Sequence, residues 1–202
     1  MWRGLPESFR LGHLLIDRNG LSAAPETETR SRQMAHRVFG IVGWKSSGKT
    51  TLAERLVVEL TRRGWRISTV KHAHHEFEVD KAGTDSFRHR TAGASEVAIV
   101  SSRRWALMHE LRDEPEPGLE EVLARMSPCD LVLVEGFKRG AHRKIEARRS
   151  EALEQAPLAP GDPFIVAIAA DHETDSGPLP FFALDDIAAV ADFVERETGL
   201  VS

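Results

Sequence analysis

The sequence predicts an α/β fold: one domain with a mainly parallel sheet flanked by helices. Two observations carry this expectation. Short β-branched runs alternate with amphipathic helical periods along most of the chain, as strand–helix–strand crossovers require. One run, Asp130 to Glu135, is apolar at successive positions, as a strand covered on both faces must be.

Taken in order, residues 1 to 36 stand apart. Residues 20 to 33 are polar, carry alternating charges and show no apolar period, so a disordered extension is expected there, with the folded domain spanning 37 to 202. Met34 stands just before the first strand, so the upstream segment reads either as a flexible tail or as lying ahead of the translation start. Val38 to Val42 is the first strand, and Thr51 to Arg63 a helix with Leu52, Leu56 and Leu60 on one face and Gly64 at its stop. Trp65 to Lys71 reads as a strand, Asp85 to Ala92 as a short helix, and Val97 to Val100 and Trp105 to Leu111 as further strands. Pro115, Pro117 and Gly118 force a turn, after which Leu119 to Met126 forms a helix ending before Ser127 and Pro128. Beyond the Asp130 to Glu135 strand, Arg143 to Arg149 is a short extended segment and Phe164 to Ala169 a core strand leading to Asp171. Ile187 to Glu197 is a terminal amphipathic helix, capped by Asp185 or Asp186 and stopped at Gly199.

Between the first strand and its helix lies Gly43, Trp44, Lys45, Ser46, Ser47, Gly48, Lys49, Thr50, which matches GxxxxGK[ST], the phosphate-cradling loop of nucleoside triphosphate binders. The glycines let successive backbone N–H groups face one anion, Lys49 reaches the β- and γ-phosphates, and the Thr50 hydroxyl ligates Mg²⁺. Strand, loop and helix occur in the order this motif needs, so the fold is of the P-loop NTPase type.

Composition narrows the class. The chain has 202 residues, 41% hydrophobic and 29% charged, enough for one domain with a sizeable core. A net charge of −4 carries no basic excess, so no nucleic-acid partner is expected. The single cysteine, Cys129, supports neither a disulfide framework nor a thiolate metal cluster. No stretch approaches the roughly 20 apolar residues of a membrane span, and no basic-then-apolar leader opens the chain, so no membrane association and a cytoplasmic location are expected.

In an open parallel sheet, ligands bind beyond the carboxyl ends of the strands. Glu135 ends its strand there and is the leading carboxylate for Mg²⁺ beside Thr50, with Asp80 or Asp85 as the second; a surface ion pair for Glu135 and a helix cap for Asp85 are the alternatives. His72, His74 and His75 stand in a polar loop. They read as contacts to phosphate or an anionic ligand, as solvated side chains, or as metal ligands. The basic segment Lys138 to Lys144, with Arg148 and Arg149, suits a phosphorylated small molecule, an acidic partner or plain solvent. Asp171 stands where a carboxylate accepts from guanine N1–H and N2–H, although a turn residue would look the same.

Three segments together resemble one family. They are the phosphate loop; Val70 to His75 with Asp80 to Ser86 and Arg88 to Ala94; and Val134, Glu135, Gly136, Phe137 and Lys138. The family is that of the molybdopterin-guanine dinucleotide biosynthesis adapter proteins, MobB, and the resemblance runs from about Val38 to Leu200. It implies a dimeric GTP-binding protein with weak GTPase activity. Such a protein assists the guanylyltransferase MobA, which joins GMP from GTP to molybdopterin. By motif match, Gly43 to Thr51 would bind the GTP phosphates, Thr50 and Glu135 would face Mg²⁺, and the Lys71 to Arg90 loop would belong to the phosphate or pterin side. Related dimeric nucleotidases carry a lysine at the second motif position. Here Trp44 occupies that place and Lys45 follows, adding charge near the phosphates. Two other functions are compatible with the residues: an ATP-dependent small-molecule kinase or ligase similar to dethiobiotin synthetase, and a nucleotide-gated metal carrier built on the histidine loop.

Overall fold

The structure is a computed structural model and describes residues 36–73 and 77–200. The extension expected over residues 1 to 36 therefore lies, but for its last residue, outside the described residues, as do His74 and His75.

Six strands form one parallel sheet: β1 (Val38–Val42), β2 (Ile67–Lys71), β5 (Leu131–Glu135), β6 (Lys144–Arg148), β7 (Ile165–Ala170) and β8 (Phe181–Ala183), in the order β2-β5-β1-β6-β7-β8. The remaining strands, β3 (Glu96–Val100) and β4 (Trp105–His109), pair antiparallel as a separate hairpin. Only Ser101 to Arg104 connects them, closed by a bond from the Ser101 amide to the Arg104 carbonyl (2.9 Å). Four residues are too few for a parallel crossover, which needs a dozen or more.

Side-chain alternation sorts the core onto two faces. Phe39 and Ile41 of β1 and Leu131 and Leu133 of β5 face α1 (Lys49–Arg62) and α4 (Ile187–Thr198). Leu52, Leu56 and Leu60 form the buried stripe of α1, and Val190, Phe193 and Val194 that of α4. The opposite face of β5, Val132 and Val134, packs on Leu119 and Leu123 of α3 (Leu119–Ala124). Asp186 rather than Asp185 caps α4, accepting from the Ala189 amide (3.1 Å), and Gly199 at φ +66 ends it. Arg63 ties the two helices through Glu59, Asp192 and Glu195 (2.6–2.8 Å).

The extended segment expected at Arg143 to Arg149 is β6, next to β1 and buried from Lys144 to Ala147. Its charges point to the surface when read from the sequence, but Lys144 and Glu146 are buried with partners. The Lys144 ammonium, 0% exposed, donates to the carbonyls of Lys138 (2.9 Å) and Gly140 (2.7 Å) and to Asp162 (2.8 Å). Glu146, 1% exposed, accepts from the Leu158 and Ala159 amides (2.9 and 3.0 Å) and from Arg148 (2.9 Å). Such a buried ion is tolerated only when its donors or acceptors are this fully matched. β8, which sequence periodicity misses, is three residues long at the sheet edge.

Gly40 explains why β1 carries a glycine in mid-strand. A Cβ there would meet the His142 ring at 2.6 Å and the Lys144 Cβ at 2.7 Å. His142 is packed over this position, and burial, reinforced by the Lys144 ammonium, pushes its pKa down to about 4. A depressed histidine is neutral in the folded chain while the unfolded chain takes up a proton at the ordinary 6.5, so its contribution is complete above 6.5 and is lost as pH falls toward 4. Denaturant titrations of wild type and His142→Asn across this window should show the variant losing less stability on acidification, by on the order of 1 kcal/mol. Parallel acid profiles for the two proteins would contradict this account.

Candidate functional site

Because all six strands of the main sheet run parallel, their carboxyl ends meet at one edge, and that edge holds the phosphate loop. The loop's backbone needs its glycines. Gly43 (φ +149) lies so close to β6 that a Cβ would meet the Ala147 carbonyl oxygen and the Ser47 Oγ, both at 2.4 Å. Gly48 (φ +88) is the N-cap of α1, and Ser46 is left-handed at φ 65. The first N–H groups of α1 have no acceptor within the helix, and with the helix dipole they form an anion site. Lys49 donates to the Trp44 carbonyl (2.5 Å), which the Ser47 amide also reaches (3.2 Å). Burial lowers the Lys49 pKa, opposed by the Glu135 carboxylate. Ser47 is 2% exposed and its Oγ has no hydrogen-bond partner among the described residues. Lys45 is exposed.

Trp44, where related nucleotidases carry a lysine, is held to the far side of the loop. Its Nε1 donates to the Ala156 carbonyl (2.6 Å), and the Lys138 ammonium lies 3.9 Å from its ring centroid. Sequence reasoning did not foresee this pairing, which brings one basic residue after β5 back onto the loop.

The parallel register sets Glu135 opposite Ile41 of β1 and Lys71 of β2. Thr50 Oγ1 donates to Glu135 Oε1 at 2.7 Å. The Lys71 ammonium lies 3.3 Å from the same carboxylate oxygen and 3.4 Å from Thr50 Oγ1. A hydroxyl and a carboxylate already touching at the first turn of the phosphate-loop helix form an oxygen donor set suited to Mg²⁺, which takes one or two carboxylates beside phosphate oxygens and water. A cationic group already sits against both.

Asp80 is engaged elsewhere. Its carboxylate is 3% exposed and accepts from Arg90 (2.9 Å), which also pairs with Glu78 and lies 3.6 Å from Glu110. Asp85 stands exposed in the first turn of α2 (Asp85–Thr91), 3.8 Å from Arg88. His72 meets Glu116 (2.6 Å) and stacks on Phe137, centroids 4.7 Å apart. Among the described residues, no group of three or more His, Cys, Asp or Glu gathers as a metal site, and no helix is long and apolar enough to cross a membrane. The basic segment divides: Lys144 is buried, Arg143 pairs with Glu197, and Arg148 binds Glu146, Thr174 Oγ1 (3.2 Å) and the Asp175 carbonyl (2.7 Å).

Beside the loop lies a cavity of about 400 Å³, bounded by Thr51 and Arg55 of α1, Arg149, Asp171, Phe181 and Leu184. This volume is within the range of small-ligand pockets. Asp171 follows β7 at the cavity wall. Its Oδ1 accepts from the His172 ring (2.7 Å) and the Ser150 amide (2.9 Å), which hold the carboxyl below the usual carboxylate range. Asp171 and Thr51, the residue that follows the octapeptide, thus line one cavity, although they stand far apart in the sequence. Arg149, read from the sequence only as one of a basic run, also lines the cavity.

The sequence profile of the family described as molybdopterin guanine dinucleotide synthesis protein B matches residues 38–171. The molybdopterin-guanine dinucleotide biosynthesis adapter protein of Haemophilus influenzae is 40% identical over 164 residues, spanning 79% of this chain and 88% of that protein. Its Escherichia coli namesake is 38% identical over 159 residues, spanning 78% and 90%. The crystal structure of a MobB protein homologue from Bacillus stearothermophilus superposes with a TM-score of 0.60 at 30% identity, covering 82% of this chain and 99% of that one. A phosphate loop at the carboxyl edge of a parallel sheet, a carboxylate opposite its threonine and this likeness together make the chain a member of the molybdopterin guanine dinucleotide synthesis protein B family.

Proposed function

We propose that this protein binds GTP with Mg²⁺ at Gly43 to Thr51 and acts in the cytoplasm as an adapter for the guanylyltransferase MobA, which transfers GMP from GTP to molybdopterin. Family membership supports the pathway and favours an adapter over a kinase or ligase. The Thr50–Glu135 contact at the phosphate-loop helix carries the nucleotide reading. In this reading Lys49 exchanges the Trp44 carbonyl for phosphate oxygens, and Gly43 to Gly48 present backbone N–H groups to the same anion. Thr50 and Glu135 would hold the ion, and Lys71, now against both, would have to make room for it. Asp80 would have to give up Arg90 before it could ligate. Mg²⁺, when bound, neutralises charge on the β- and γ-phosphates. Asp171 accepts from the guanine N1–H and N2–H. No side chain at the loop is an evident general base, which suits slow hydrolysis and a role in positioning nucleotide for another enzyme.

Calorimetric titration with GTP and ATP, with and without Mg²⁺, tests the site. GTP should bind more tightly in Mg²⁺, and Lys49→Ala should weaken it by about a hundredfold or more, the loss of charge-assisted bonds to phosphate. Unchanged binding by Lys49→Ala would sink the phosphate-loop assignment. With MobA and molybdopterin present, the wild type should raise the yield of guanine dinucleotide and Lys49→Ala should not; no increase from the wild type would remove the adapter role.

A homodimer belongs to the same proposal, and the β3–β4 hairpin supports it. Val100 pairs with Trp105 and Ala98 with Leu107, so these side chains share one face, and Val100, Trp105 and Leu107 are 77%, 71% and 52% exposed. A two-stranded sheet with an uncovered apolar face is marginal in water and gains stability by burying it against a second copy. Sedimentation should find wild type dimeric and Trp105→Glu monomeric at micromolar concentration. A dimer that survives this change would move the interface off the hairpin.

A further inference from the structure

Arg149 is a half-buried cation at this edge of the sheet to which the described residues offer no acceptor. It follows directly after β6, which pairs with β1 and so delivers Arg149 beside the phosphate loop. Its Nε lies against the start of α1: a Cβ at Gly48 would come within 2.8 Å of it, and within 3.1 Å of Leu184 Cδ2. The half-buried guanidinium also lines the cavity of about 400 Å³ that holds Asp171 and Thr51. Its Nε is buried without a hydrogen-bond partner, and among the described residues no carboxylate or carbonyl engages the rest of the group. Arg63, Arg90 and Arg148, by contrast, are each held by carboxylates. A guanidinium has five donors and no acceptor, and leaving donors unmatched in a partly desolvated place is costly. Nothing in the packing requires this residue to be arginine, so the missing acceptors point to a ligand.

Among the polar residues lining the cavity, which include Thr51, Glu173 and Arg55, the last already donating to the Asp185 carbonyl (2.8 Å), Asp171 and Arg149 are opposite in kind. Asp171 only accepts, and its Oδ1 is already oriented by His172 and the Ser150 amide. Arg149 only donates. Guanine has the matching pattern: N1–H and N2–H donors on one edge, O6 and N7 acceptors beside them, the latter being the acceptors that arginine engages in pairs. Adenine keeps the N7 acceptor but reverses positions 6 and 1, placing its N6 amino group toward the donor and its N1 lone pair toward the carboxylate. A site whose polar groups match only one base rejects the other through groups left unpaired.

We infer that Arg149 is a specificity-determining residue that donates to O6 and N7 of a guanine held in the cavity while Asp171 accepts from its N1 edge. This inference rests on the guanine-nucleotide reading above and adds to it the donor half of base recognition.

The test is competitive binding of GTP, ITP, ATP and inorganic tripolyphosphate, in Mg²⁺, to wild type, Arg149→Ala and Arg149→Lys. ITP keeps O6, N7 and N1–H and lacks only the 2-amino group; tripolyphosphate has no base. Arg149→Ala should lose about ten- to a hundredfold in affinity for GTP and for ITP alike, with ATP and tripolyphosphate nearly unchanged. Arg149→Lys should recover part of the GTP affinity. Retained tripolyphosphate binding shows that the loop is still folded. Equal losses for all four ligands would overturn the inference and make Arg149 a brace of the loop or a phosphate contact. Unchanged GTP-over-ATP preference in Arg149→Ala would also overturn it. A wild type that binds triphosphates without preferring guanine fails the nucleotide assignment itself, and the inference falls with it.

Discussion

β1 lies between β5 and β6 in a sheet whose six strands all run the same way, and everything at the site follows from that pairing. A parallel ladder brings the carboxyl ends of neighbouring strands to one edge. There the loop after β1, Glu135 at the end of β5 and Arg149 just past β6 come within reach of one ligand. The register is what makes this useful: a one-residue slip would turn every side chain to the other face and take Glu135 away from Thr50.

Keeping β1 central demands a partner on the β6 side, and β6 is an unusual core strand. It carries Lys144 and Glu146 into the interior, each 1% exposed or less. Both hold irregular backbone in place. Lys144 gathers the carbonyls of the turn after β5, and Glu146 receives two amides at the short 3₁₀ turn Ala159–Gly161. Buried ions of this kind seldom add net stability over apolar residues, but removing one partner is severely destabilising. Their service is positional. They fix the segments flanking β6, so that Ala147 can approach Gly43 and Arg149 can reach Gly48.

Much of this was legible in the sequence. The octapeptide 43–50, the stripe Leu52, Leu56, Leu60 and the run ending in Glu135 each carry a local pattern whose cause is local, so strand, loop, helix and a carboxylate at the strand end could be read directly. β6 could not, because Lys144 and Glu146 look like surface residues until their most distant partners, Asp162 at 18 positions and Ala159 at 13, are known. The β3–β4 hairpin was read as two strands without a partner, although its four-residue connection already excluded the main parallel sheet. Asp171 was visible only as a carboxylate at a strand end; that it shares a cavity with Thr51 and Arg149 is a tertiary fact. Arg149 had no local signal beyond belonging to a basic run, since what distinguishes it from Arg148 is the absence of a carboxylate, which only the fold reveals.

In the proposed function, one edge of the sheet holds a guanine nucleotide, phosphates on the loop and base in the adjoining cavity. A crystal structure with Mg²⁺ and a non-hydrolysable GTP analogue tests it most directly. The account predicts phosphates against the amides of Gly43 to Thr51, the ion between Thr50 and Glu135 with Lys71 displaced, and the guanine between Asp171 and Arg149. A nucleotide bound to the loop with its base outside that cavity, or an ion held without Glu135, would contradict it.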